Sequence, residues 1–133
     1  MKQRKSNVQS LAKEVRKKRS DGMVFNTGAA LLDAIVLAVV CKEKEGTYGY
    51  KITQDVRQAI DVSESTLYPV LRRLQKDDCL ETYDKEYMGR NRRYYRVTPK
   101  GKAALNLYRE DWKLHKEKID GILIKGGNSN EQS

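Results

Sequence analysis

The chain has 133 residues and a formal net charge of +9, with 27 Lys/Arg against 18 Asp/Glu, one His and two Cys. That length points to one domain. The single His and two Cys lying 38 positions apart offer no metal-ligand spacing and no convergent acid–base or nucleophile set, which argues against an enzyme and against any cofactor or metal. The longest apolar run, Ala29 to Cys41, has 13 residues. A helix needs about 20 to span a bilayer, so the expectation is a cytoplasmic protein without a membrane segment.

Residues 1–19 hold eight Lys/Arg and one acid, a net +7 that leaves only +2 for the other 114 residues. Residues 1–22 read as a basic extension, weakly amphipathic through Val8, Leu11, Ala12 and Val15 and broken by Asp21-Gly22. Such an arm can meet nucleic acid or an acidic membrane, or simply aid solubility.

Asn26 or Thr27 can cap a first helix that runs through Cys41. From Ala29 to Cys41 every residue except Asp33 is apolar. A helix apolar on all sides is buried on all sides, which in a small domain suggests packing on its own core and on a second subunit. Cys41 and Cys79 read as buried thiols. After a charged loop, Lys42–Gly46, Thr47 is placed to cap a second helix from Tyr48 to about Ile60, with Ile52, Val56 and Ala59 inward and Tyr50, Lys51, Gln54 and Arg57 outward. Asp61-Val62 makes a tight turn, and Ser63 caps a third helix to Lys76 or Asp77. Leu67, Leu71 and Leu74 recur at i, i+4 and i+7 along it. Pro69 falls in its front turns, where a missing N–H costs little. Its other face carries Ser63, Ser65, Thr66, Tyr68, Arg72 and Arg73, a set rich in hydrogen-bond donors.

Leu80–Asp84 and Arg93–Val97 read as short strands joined by a turn at Gly89. From Lys85 to Lys100 there are six Lys/Arg and one acid, Glu86, so the hairpin has a basic tip that includes Arg90, Asn91, Arg92 and Arg93. Thr98 and Pro99 start a last helix that runs to about Lys125. On it Leu105, Tyr108, Trp112, His115, Ile119 and Ile122 step by threes and fours, a heptad seam that asks for a partner helix. Leu105, Tyr108, Trp112, Ile119 and Ile122 are therefore expected at a dimer interface. Trp112 has two readings, interface packing or the wall of a ligand pocket at the dimer centre, with Tyr108 and His115 beside it.

The order helix, helix, helix, hairpin, long helix is a mainly α fold with a small β-hairpin. Residues 23–100 read as a winged helix-turn-helix domain, 101–125 as a long C-terminal dimerisation helix and 126–133 as a disordered tail. The third helix is then a recognition helix for the major groove, and the hairpin is its wing.

The stretches "TYGYKI", "STLYPVLRRL" and "RNRRYYRVTPKG", in this order and spacing, resemble the PadR family of bacterial transcriptional regulators, over roughly Gly28 to Leu123. The single helix after the wing resembles the family's short subclass. By motif, Tyr48 and Tyr50 occupy the Y-G-Y positions, Tyr68 the L-Y-P tyrosine, Arg72 and Arg73 the basic pair, Arg92, Arg93, Tyr94 and Tyr95 the wing, and Thr98 and Gly101 the T-x-x-G; Lys51, next to Tyr50, is expected among the DNA contacts. The resemblance implies a homodimeric repressor of double-stranded DNA with a palindromic operator, released in some members by phenolic acids or hydrophobic drugs. Three departures stand out. Cys79 replaces the usual Gly after the recognition helix, the wing tip reads MGRNR, and the first 20 residues extend beyond the usual start. Two rivals remain: a winged helix used only for protein–protein contact, and a nonspecific nucleic-acid or membrane binder working through the N-terminal arm.

Overall fold

The structure, a computed structural model, describes residues 28–125. The basic extension and the 126–133 tail, with the caps expected at Asn26 or Thr27, lie outside the described residues. Helix α1 spans Gly28–Cys41. Val36, Leu37 and Val40 on it are wholly buried, whereas Leu31, Ala34, Ile35 and Ala38 are half-buried. The helix is thus fully covered on one side and partly covered on the other. Its one charged residue, Asp33, is buried too, and Arg73 of the recognition helix pairs with it.

Strand β1 (Thr47–Tyr48) leads directly into α2 (Gly49–Val56). Thr47 is therefore not the cap expected from the sequence. Its backbone joins the sheet, pairing with Tyr95 of β3 (Arg90–Val97), and the cap residue, Tyr48, makes no side-chain capping bond. Helix α2 also stops four residues short of Ile60. Its buried stripe, Ile52, Thr53 and Val56, ends at Val56, and Ala59 is exposed. Arg57 closes the following loop by donating from Nε to the Val62 carbonyl at 2.7 Å.

Helix α3 (Glu64–Lys76) starts as expected, with the Ser63 hydroxyl accepting from the Thr66 N–H at 3.3 Å. Ser63→Ala removes that cap, and unfolding in urea should read a loss of about 1 kcal/mol. An unchanged midpoint would mean Ser65 or Thr66 can replace it. Leu67, Val70, Leu71 and Leu74 face the core. The helix ends without glycine: Asp78 takes the left-handed conformation (φ 61°), the Asp78 N–H bonds Gln75 O, and the Cys79 N–H bonds Leu74 O at 2.8 Å. That is a Schellman motif with an aspartate in the glycine position, and Cys79, this chain's departure from the family pattern it resembles, falls one residue after it. Cys79 is buried and Cys41 half-buried, with no disulfide among the described residues.

The sheet order is β1-β3-β2, with β2 spanning Leu80–Tyr87. The hairpin strands are three residues longer at the tip than alternation suggested, and register runs from Leu80↔Val97 to Tyr87↔Arg90. Only Met88 and Gly89 remain in the turn. Tyrosine, lysine and arginine there hide the apolar–polar alternation, but cross-strand ring and cation contacts stabilise pairing equally well. Helix α4 (Pro99–Asp120) is capped by Thr98, which accepts from the Gly101 N–H at 3.0 Å, and passes into a π-helical turn over Gly121–Lys125. At 1.5 Å per residue its 22 residues span about 33 Å. The core lies between α1, α3 and the first half of α4, with Leu105 and Tyr108 among its most buried residues.

Candidate nucleic-acid interface

A hairpin longer than three-strand pairing requires must be held by its side chains. From Arg93 outward β3 has left β1 behind and pairs with β2 alone. Residues two apart share a face, so Tyr83, Tyr94, Lys85, Arg92 and Tyr87 lie together. Tyr83 stacks on Tyr94 with centroids 5.6 Å apart, and Tyr48 meets Tyr94 edge-on at 5.7 Å. The Arg92 guanidinium sits between two rings, 4.3 Å from the Tyr48 centroid and 4.6 Å from Tyr87. Cross-strand Lys85 and Arg92 would repel one another directly. Their placement over tyrosine faces, with Lys85 5.6 Å from Tyr94, offsets that repulsion.

The wing thus stands against the start of α2 and beside α3. Between them opens a groove of about 820 Å³, lined by Tyr48, Gly49, Tyr50, Tyr68, Arg72, Tyr87, Asn91, Arg92, Arg93 and Tyr95. Tyr68 packs its hydroxyl end across the bare face of Gly49 while 44% of the residue remains exposed. Burial pushes the Tyr95 phenol above its ordinary value, with Arg93 and Arg72 working against it. It stays neutral and able to donate over the whole physiological range. The groove therefore presents three guanidinium groups and several phenols in a space open to solvent, a surface suited to phosphates and base edges.

Seven of the thirteen residues named from the sequence line this groove, Tyr48, Tyr50, Tyr68, Arg72, Asn91, Arg92 and Arg93, and an eighth, Arg90, is exposed on the same hairpin just beyond. The other five sit elsewhere or are otherwise engaged. Lys51 is bonded to Glu43 at 2.8 Å, which raises its pKa and turns it toward the loop after α1. Arg73 points back to Asp33. Ser63 is occupied as the cap and in hydroxyl contacts with Ser65 (2.9 Å) and Thr66 (3.0 Å), so these three form one exposed cluster at the front of α3. Sequence reasoning missed Tyr83 and Tyr87 as wing braces. The signal was the two-residue spacing of 83, 85 and 87 opposite 90, 92 and 94.

Comparison with known proteins places this winged helix-turn-helix in a family. Residues 36–107 match the Transcriptional regulator PadR-like family. The chain belongs to the PadR-like family. A transcriptional regulator of Mycobacterium tuberculosis (Rv3488) is 41% identical over 83 residues, which cover 62% of this chain and 73% of the relative. Among solved structures, a protein of Streptococcus mutans UA159 has 39% identity and a TM-score of 0.67, covering 76% of this PadR-like chain and 93% of that one. A PadR family transcription regulator from Clostridium difficile R20291 has 28% identity and a TM-score of 0.62, covering 68% and 96%. The PadR-like chain is thus a winged helix-turn-helix transcriptional regulator, and members of this family are regulators of transcription, not enzymes. Among the described residues no helix is long and apolar enough to cross a membrane.

The second site read from the sequence is the α4 seam. Leu105 and Tyr108, expected to face a partner, are buried against α1 in their own chain. Past that point the large apolar side chains are exposed: Trp112, Leu114, Ile119, Ile122, Leu123 and Ile124. An apolar groove of about 360 Å³ lies where α4 crosses α1, lined by Leu31, Ala34, Ile35, Ala38, Ala59, Ile60, Leu105, Tyr108, Arg109 and Trp112. Tyr108 and Trp112 thus share one wall. His115 is not on that wall; it lies against Trp112 with ring centroids 6.0 Å apart.

Proposed function

We propose that this PadR-like chain is a homodimeric repressor that binds a palindromic operator and is released by a small planar hydrophobic or phenolic ligand. The observation that carries the DNA reading is the groove between α3 and the wing, where Tyr68, Arg72, Arg92 and Arg93 converge. Two such units related by a two-fold axis present recognition helices to successive major grooves, about 34 Å apart. The exposed apolar residues from Trp112 to Ile124 and the half-buried side of α1 support the dimer, since so many large side chains on one helix end are costly in water. The groove beside Trp112 supports the ligand: it is apolar, and its one charged lining residue is Arg109.

Fluorescence anisotropy with the duplex upstream of the chain's own gene, against a scrambled duplex at two salt concentrations, tests this reading. Tight binding that survives the scrambled competitor, falls with salt and saturates at two chains per duplex is expected. Replacing Arg90 by Ala should flatten the salt slope by about 0.9, the value of one lost phosphate contact. Equal, weak binding to both duplexes would reject a specific operator there. No binding at low salt would turn the assignment to a protein partner.

A further inference from the structure

The hairpin turn carries an anomaly that the DNA-binding groove does not use. Met88 and Gly89 both have positive φ, 53° and 80°. Two left-handed residues between paired strands are the signature of a type I′ turn, whose first position is ordinarily Asn, Asp or Gly. An unbranched apolar side chain has no local hydrogen bond to offset that conformation. Packing among the described residues does not compensate Met88: it is 88% exposed, more than any other large apolar residue described. A strained residue whose side chain makes no use of its own fold points to a use outside it.

The surroundings say what that use is. Four residue pairs, 84–87 with 90–93, extend the hairpin past β1, about 13 Å at 3.3 Å per residue. Lys85, Arg90, Arg92 and Arg93 lie along this arm against Asp84 and Glu86, a net +2 that draws it to polyanions. Arg92, wedged between Tyr48 and Tyr87, braces the arm against β1 and the start of α2, so its apex is presented in a set direction. A bare apolar tip on a braced basic arm matches the wedge that minor-groove proteins insert between stacked base pairs. Resting on the operator reading above, we infer that Met88 enters the minor groove beside the site of α3, unstacks one base step in each half-site and kinks the duplex. The wing then selects sequence at a step it does not hydrogen-bond, favouring the pyrimidine–purine steps that unstack most readily.

Met88→Asn tests this without endangering the fold, because Asn-Gly is the favoured type I′ pair. The thermal midpoint should hold or rise. The probes are duplexes enriched by the wild-type chain from a random pool, carrying a dye pair at their ends and 2-aminopurine at successive steps. The wild type is expected to shorten the end-to-end distance and to raise 2-aminopurine emission at one step per half-site. Met88→Asn should lose both effects and bind about tenfold more weakly, with the salt slope unchanged because no charge is removed. Met88→Leu, still apolar, should retain the kink. Equal bending by Met88→Asn, or wild-type binding to a straight duplex, would overturn the wedge and leave the regulator reading standing. A pool from which the wild type enriches nothing would remove both.

Discussion

Gly101→Ala is expected to lower the stability of the fold by about 3 kcal/mol, measured as the urea midpoint against wild type. At an exposed helix position the same exchange would stabilise by about 0.5–1 kcal/mol, because alanine is the better helix former. Here the sign reverses. A Cβ on Gly101 would fall inside the contact radius of the Cys79 carbonyl oxygen and 2.8 Å from Val97 Cγ1. The carbonyl cannot withdraw: it accepts the Thr98 N–H at 3.0 Å and belongs to the segment that joins the end of α3 to β2. The glycine of the T-x-x-G motif is thus required by a close approach of two backbones, and the threonine by the cap it makes three residues earlier. A Gly101→Ala chain as stable as wild type would show that α4 can slide away from Cys79, and that this approach is not what sets its docking.

The second large effect separates two adjacent arginines that the sequence treats as a pair. Arg72→Ala should weaken operator binding by about tenfold and flatten the salt slope by about 0.9, because Arg72 lines the groove. Arg73→Ala should leave the slope unchanged. Its guanidinium faces Asp33, a carboxylate only 8% exposed inside the otherwise apolar α1. Loss of that partner should cost about 1–2 kcal/mol in the urea midpoint, a value kept low because the Arg73 side chain is itself 45% exposed. An Arg73 variant with a flattened slope, or an Arg72 variant without one, would reverse the assignment.

Arg72 and Arg73 illustrate what local pattern can and cannot resolve. Leu67, Leu71 and Leu74 orient α3, which places both arginines off the core. Which of them lines the groove and which turns to α1 depends on a residue 40 positions away, Asp33. The same holds at Thr47. A threonine before a helix is a sound cap signal, but here the pull of a third strand on its backbone won, and no local rule registers a strand of two residues whose partner lies 48 positions on. Tyr108 shows it at the seam: the spacing of threes and fours put it on one face with Trp112, and it is, yet the first half of that face is buried against α1 while Trp112, Ile119 and Ile122 beyond it are exposed.

What the sequence by itself determined were the features that depend on near neighbours. These were the order of helices and hairpin, the caps at Ser63 and Thr98, the start of α4 at Pro99, the basic tip of the wing, and the three motifs that mark a PadR-like regulator. Each rests on bonds or apolar repeats within about a turn or two of chain. Tertiary structure alone decided the length of the wing, the brace of Arg92 between Tyr48 and Tyr87, the left-handed Met88 at its apex, the division between Arg72 and Arg73, and the point on α4 where a core face becomes an uncovered one. Those depend on contacts between residues far apart in sequence, where the identity of the partner, and not the periodicity of the segment, sets the energy.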